Sequence, residues 1–309
     1  MADAALTKRR LGRANLYVTP LGLGGASLGR TPEGYDDELA VATVHRALEL
    51  GLNLIDTSPM YGESQRRIGI ALDAWYANGG RRQDIVISTK TGYTRDGMNY
   101  SADFTRRSVA ESLRLLRTDY LDILLVHDPR DLEPVLEPGG ALEALKELKE
   151  QGVIRAIGLG VRSHEFHRRC IESGDFDVSL THCDYNLIDR SAAEGVLEPA
   201  AAHNVGVLNG AAVMLGLLGG RDPREVAPKL GRFATDERVR RVCELWGWAQ
   251  SVGVSLLALN LQFCLRERRI GSTLVGASNP AQIEADVQAL SEEIPDELWQ
   301  ELAARLGVL

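Results

Sequence analysis

The feature that most constrains this chain is an alternation. Short apolar runs bounded by turn-forming residues are separated by segments whose apolar residues recur at helical spacing. The runs lie at 21–25 (LGLGG), 52–56, 85–89, 122–127, 154–159, 177–183, 205–209 and 272–276. Helical patterns run from Asp36 to a stop at Gly51, then near 64–77, 103–116, 139–151, 163–173 and 190–203. Runs this apolar on both sides want cover on both faces, which a parallel sheet with crossover helices supplies. Eight such units predict an α/β fold, a closed (β/α)8 TIM barrel, with an open doubly wound sheet as the runner-up.

The flanks fit the same plan. Residues 8–20 read as an N-terminal β-hairpin. Extra C-terminal helices are predicted near 236–252, 255–265 and 295–306. Residues 210–235, with Gly216, Gly219, Gly220 and Pro223, read as a long loop over the barrel mouth that helps select the substrate. No stretch rich in Gly, Pro or Ser divides the chain, so residues 1–309 are expected to form a single domain.

In a barrel, substrate meets the C-terminal ends of the strands. One run ends on Asp56, and Tyr61 lies five residues later in the same loop. The run IVISTK finishes on Lys90, and DILLVHD reaches His127. Taken singly, each residue has a plainer explanation: a turn aspartate, a packing tyrosine, a solvated lysine, a strand-end histidine. Four of them on neighbouring strand ends favour a site. A phenol titrates near ~10 and is a poor base at neutral pH, but an adjacent ammonium is expected to lower that value. Asp56 would hold Lys90 by a charged hydrogen bond, and His127 would orient an oxygen at the same point. Such a set suits a reaction in which that oxygen gains or loses negative charge. Hydride transfer to or from a nicotinamide is one, and the cofactor must carry the hydride.

Composition removes other classes. A net charge of −8 and a pI near 5.4 argue against a nucleic-acid partner. The local basic cluster Arg266, Arg268 and Arg269 reads as solvated surface or helix-end charge. Cys170, Cys183, Cys243 and Cys264 form no CxxC pair and are expected to be reduced thiols. MADAALTKRRLGR lacks the apolar core of a secretory signal, and no run reaches the length of a membrane span, so a cytoplasmic location is expected. His164, His167 and Cys170 are poorly aligned for zinc and lack a fourth ligand; no metal is expected.

The segments NLIDTSPMYGESQRRIG, VISTK, LDILLVHDP and ALKELKEQGVIRAIGLG resemble the aldo-keto reductase family, in order and spacing, across nearly the whole chain. The resemblance implies a (β/α)8 barrel whose catalytic tetrad falls on Asp56, Tyr61, Lys90 and His127. It also implies an NAD or NADP cofactor held near Gly25, His182, Asn209, Gly276, Ser278, Gln282 and Asp286. Departures from the family pattern narrow the reading. Gly160 and Val161 stand where many members have Ser-Asn, His182 replaces a common glutamine, and Asn209 and Gly210 stand where a tyrosine often stacks. Members that prefer NADP usually carry basic residues where this chain has Ser278 and Gln282. A 2′-phosphate is matched well by arginine, so NAD is expected to be tolerated or preferred.

LVGASNPAQIEADV, VLNGAAVMLGLLGG and DTSPMYGESQRRIG are most similar to a branch of aldose 1-dehydrogenases acting on L-galactose, L-fucose or D-arabinose. That branch oxidises the anomeric carbon to a lactone. The alternatives are an NADPH-dependent aldehyde or ketone reductase, a pyridoxal dehydrogenase, and a non-catalytic cofactor-binding regulatory subunit. A small sugar or carbonyl substrate is expected, with no nucleic acid or membrane partner. The oligomeric state is left open.

Overall fold

The computed structural model describes residues 6–29 and 36–307; the reading of residues 1–5 as lacking a leader falls outside them. A short hairpin comes first, β1 (Arg9–Arg10) paired antiparallel with β2 (Tyr17–Val18). Eight parallel strands then close into a barrel: β3 (Leu21–Gly24), β4 (Leu54–Asp56), β5 (Val86–Thr91), β8 (Leu121–His127), β9 (Ile154–Gly160), β10 (Val178–His182), β11 (Gly206–Gly210) and β12 (Ile270–Gly276). The last strand pairs with the first, Thr273 beside Leu21 and Gly276 beside Gly24, so the closed barrel holds and the open sheet does not. Between β5 and β8 lies a two-stranded ribbon that the sequence reading lacks, β6 (Tyr93–Thr94) and β7 (Gly97–Met98).

Side chains alternate across each strand with period two. Leu54, Val86, Ile123, Leu125, Leu180 and Leu274 point inward and meet Leu11, Leu16 and Val18 of the hairpin, which plugs the N-terminal end. The intervening residues, such as Leu23, Ile55, Ile87, Leu124 and Val275, point outward against the helices. One inward leucine cut to alanine costs about 2–5 kcal/mol. The barrel interior is therefore a packed core, and space for chemistry remains only at the top.

The helices are α1 (Asp37–Glu49), α2 (Ser64–Ala77), α3 (Ala102–Leu116), α4 (Glu133–Leu136), α5 (Ala141–Glu150), α6 (His164–Ser173), α7 (Glu198–Ala202), α8 (Pro223–Val226), α9 (Asp236–Ser251), α10 (Leu256–Arg266), α11 (Pro280–Ala289) and α12 (Asp296–Leu306). Side chains that accept from the first-turn N–H groups start most of the long ones: Asp36, Ser101, Ser163, Thr235, Ser255 and Asn279. Three expectations change. The helix predicted over 190–203 is a π-turn, Ala193–Leu197, followed by the short α7; Pro199 has no N–H to continue a regular ladder. Helix α11 is an addition, announced by an Asn-Pro start at 279–280. Residues 210–235 are not an open loop: they form single helical turns and α8, and bury Met214, Leu217, Leu218 and Val226 against Leu245 and Trp248 of α9.

Candidate active site

Continuing the inward alternation to the top of the barrel places Gly24, Asp56, Lys90, His127, Gly160, His182, Gly210 and Gly276 around one mouth. The ring is uneven. Polar groups occupy β4, β5, β8 and β10, while β3, β9, β11 and β12 end in glycine.

Lys90 lies inside β5 rather than just past a strand ending at 89, and its side chain is 1% exposed. Nζ donates to Asp56 Oδ2 at 2.5 Å and to the Thr57 carbonyl at 2.8 Å. The other oxygen of Asp56 accepts from Ser88 Oγ at 2.8 Å. Breaking a buried pair of this kind by removing one partner costs about 3–5 kcal/mol, because the other charge is left stranded. Tyr61 ends a 3-10 turn, Pro59–Tyr61, that Ser58 starts by accepting from the Met60 N–H at 3.1 Å. Gly62 follows at φ +57; a Cβ there would lie 2.5 Å from the Gly29 carbonyl oxygen, so only glycine fits. The turn brings the Tyr61 ring within 4.9 Å of Lys90 Nζ and sets it edge-on to His127, centroids 5.8 Å apart. His127 is fixed from three sides. Ser58 Oγ lies 3.0 Å from Nδ1, the Tyr93 ring packs at 5.6 Å, and Tyr100 Oη donates to the His127 carbonyl at 2.8 Å.

Burial and neighbouring charge set the protonation states. Burial pushes the Tyr61 phenol above its ordinary pKa, and the opposing pull of Lys90 does not cancel it. The lowering expected from the adjacent ammonium is reversed, because desolvation of the phenolate is the larger effect. Burial alone would lower the Lys90 pKa, but Asp56 and Tyr61 together carry it upward, so the ammonium persists. His127 is held well below its usual range by burial first and then by Lys90, His182 and Arg162. At neutral pH the mouth therefore presents a neutral phenol, a neutral imidazole and a buried ion pair. Such a set can give a proton to an oxygen, take one from it, and steady the charge that develops.

Of the residues expected to hold a cofactor, His182 joins the mouth on β10, and burial followed by Arg162 lowers its pKa as well. Gly276 also faces the mouth and is exposed. Ser278 and Gln282 are tied to each other at the start of α11, the Ser278 N–H and Oγ both donating to Gln282 Oε1 at 2.8 and 3.0 Å. Asp286 is buried on the same helix, and burial raises its carboxyl to about 7. One expectation is corrected. The Asn209 side chain is turned out of the barrel, fully buried, with Nδ2 donating to the Tyr185 carbonyl at 3.0 Å; Leu208 and Gly210 take the inward parity. At Gly25 a Cβ would lie 2.7 Å from Ser64 Oγ of α2, a packing demand that leaves the expected cofactor contact neither met nor overturned.

The sequence reading omits Ser58, Ser88, Tyr93 and Arg162. Ser88 was legible, because it sits two residues before Lys90 and so shares its face. Ser58 and Tyr93 depend on loop geometry, which the pattern of apolar residues does not report.

Residues 20–306 match the profile of the Aldo/keto reductase family. The chain is 34% identical to L-galactose dehydrogenase of Arabidopsis thaliana, covering 92% of this chain and 88% of that protein. It is 30% identical to D-threo-aldose 1-dehydrogenase of a Pseudomonas species, over 95% and 96%. Among solved structures, an aldo-keto reductase from Bacillus halodurans in its holo form superposes with a TM-score of 0.79 at 28% identity, over 97% and 96% of the two chains.

Proposed function

The chain belongs to the aldo/keto reductase family, whose members are nicotinamide-dependent oxidoreductases, and we propose that it is an NAD-linked aldose 1-dehydrogenase. On this reading it oxidises the anomeric carbon of an L-galactose-, L-fucose- or D-arabinose-type sugar to the lactone. The observation that carries it is the joint placement of Asp56, Tyr61, Lys90 and His127 in a chain whose relatives include two sugar dehydrogenases.

The mouth suits a nicotinamide cofactor. Gly24, Gly160, Gly210 and Gly276 leave its other half without side chains; at Gly24 and Gly160 a Cβ would meet only ordinary contacts, whereas at Gly210 it would lie 2.6 Å from the Thr181 carbonyl oxygen, so that glycine also serves close packing of β10 and β11. His182, Gly276, Ser278, Gln282 and Asp286 are the residues proposed to hold it. When bound, the nicotinamide supplies the acceptor for the hydride. NAD is favoured because residues 277–289 contain no Lys or Arg, and Arg46, which reaches that helix from α1, is already engaged by Glu284 and Glu49; a 2′-phosphate there would have to compete for its guanidinium.

In the oxidation, Tyr61 takes the proton of the anomeric hydroxyl. The phenol starts protonated, so its proton must first pass to solvent water, and the Lys90 ammonium steadies the resulting phenolate. Asp56 keeps that ammonium charged and fixed. The neutral His127, held by Ser58, donates to the sugar oxygen and aligns it. A second reading has one observation in its favour. A phenol with a raised pKa is well suited to giving a proton, which is what reduction of an aldehyde or ketone with NADPH requires.

The test is initial rates with L-galactose, L-fucose, D-arabinose, D-glucose and pyridoxal, each with NAD and NADP, beside Tyr61→Phe. Turnover of the first three with NAD, lost in the variant, supports the proposal. Failure of every sugar, with NADPH-driven reduction of simple aldehydes, transfers it to the second reading. Cofactor binding without any turnover would point to a regulatory role.

A further inference from the structure

The N-terminal face of the barrel holds a basic cluster that the chemistry at the mouth does not use. Arg9 and Arg10 of β1 meet Arg268 and Arg269, which precede β12. Arg9 is structural: Nη1 donates to the Ile270 carbonyl at 2.9 Å and Nη2 to the Leu265 carbonyl at 2.6 Å. Burial first, and then the nearby charge of Arg268, hold its guanidinium below its ordinary pKa, against an opposing pull from Glu267. Beside it is a cavity of about 160 Å³ whose lining includes Arg10, Arg268, Arg269, Gly12 and Gly271.

The charge there is not balanced. Glu267 takes the Arg269 fork on both sides, Nε to Oε1 at 2.9 Å and Nη2 to Oε2 at 2.7 Å, and Glu198 also acts on Arg269, so Arg10 and Arg268 supply the uncommitted charge. Neither Arg10 nor Arg268 forms an ion pair with a described residue. The lining is thus positive in a chain of net charge −8. The cavity lies at an irregular seam, where Val207 pairs with Ile270 and Leu208 with Ser272, so that Gly271 is skipped. Leu11 closes the inner side of that gap, 2.5 Å from where a Gly271 Cβ would stand.

We propose that this cavity binds a small dianion, inorganic phosphate or a phosphate monoester, between Arg10 of the hairpin and Arg268 of the barrel, with Arg269 lining the site but committed to Glu267. Guanidinium forks match phosphate oxygens bidentately. At about 30 Å³ per water, the volume holds a phosphate group and part of what it is attached to. Because β11 and β12 run from this cavity to Gly210 and Gly276, the anion would clamp the hairpin across the seam that supports the glycine half of the mouth.

Inorganic phosphate and glycerol phosphate, titrated calorimetrically into the full chain with and without saturating cofactor, should each show one site per chain. Phosphate at about 100 times Kd should raise Tm by about 4 °C. Arg268→Glu and, separately, Arg10→Ala should weaken binding about tenfold or more, with the ligand-free Tm unchanged, since neither guanidinium makes a structural bond. A stronger response to one probe separates free phosphate from a monoester. Binding that survives both substitutions, or that the cofactor displaces, overturns the proposal. So would self-association of the chain lost in the same two variants, which would assign the patch to an acidic surface of a second copy.

Discussion

On β4, β5 and β8 the inward strand ends are Asp56, Lys90 and His127, each engaged by a neighbour; on β3, β9, β11 and β12 the same positions are Gly24, Gly160, Gly210 and Gly276. The first arc is complete without a ligand, its charges paired and its Ser58 and Ser88 hydroxyls bonded. The second is bare, and near it α11 buries the Asp286 carboxyl with no partner among the described residues. A preorganised polar arc keeps its cost low by internal pairing. A bare arc gives up packing to leave room, and the lost stability is recovered only when something occupies it.

The sharpest break between the arcs comes from Tyr61→Phe, which should lower kcat by about 10³-fold while leaving the cofactor Kd within about twofold, read by stopped-flow rates and fluorescence titration. Equal losses in both would merge the two arcs into one function. Next is Asp286→Asn. Asp286 has its folded pKa raised from 3.8 to about 7, so its contribution to stability is present below about pH 4 and lost as pH rises through about 7. Removing the charge should therefore stabilise the free protein at pH 8 by up to about 4 kcal/mol and very little at pH 4. Denaturant midpoints at the two pH values check this, and an unchanged difference would show that the carboxyl has a partner in solution.

A smaller effect tests the room itself. A Cβ on Gly160 would meet only ordinary contacts, 3.7 Å from Leu125 and Leu180. Gly160→Leu should then fold normally, by circular dichroism and Tm, and weaken cofactor binding about 30-fold, roughly 2 kcal/mol. Normal affinity would mean that the bare arc is not where the cofactor lies. Smallest is the pH response. Because the Tyr61 pKa is raised, kcat/KM for oxidation should climb by about tenfold per pH unit near neutrality, while reduction stays flat. A flat oxidation profile would remove Tyr61 as the proton acceptor.

The polar arc was the legible one. Asp56, Lys90 and His127 close apolar runs, and a run that stops on a charged residue marks its own end. The bare arc was harder to read. VGVLNG is apolar on both faces, so no period of two shows whether Asn209 or Gly210 points inward, and Asn209 was placed on the wrong side. The sign of the Tyr61 shift failed for a related reason, since sequence shows which charges are neighbours but not how deeply they are buried. Residues 210–235 looked like a loop because their apolar residues answer α9, far along the chain, rather than a local repeat. The barrel itself was readable because its units are consecutive.

One contact already described also sets a clock. The hairpin that plugs the barrel is held by Arg9, whose bond to the Ile270 carbonyl spans 261 positions, and the Thr273 N–H donates to the Pro20 carbonyl on the same seam. A ribosome adding about 5–20 residues per second needs roughly tens of seconds to deliver those partners. During that interval β4, β5 and β8 can already pair in order, while Leu11 and Leu16 have no barrel to enter. The nascent chain thus completes β4, β5 and β8 before Gly210 and Gly276 can join the bare arc, so a stalled or truncated product would carry Asp56, Tyr61, Lys90 and His127 in a barrel that cannot close.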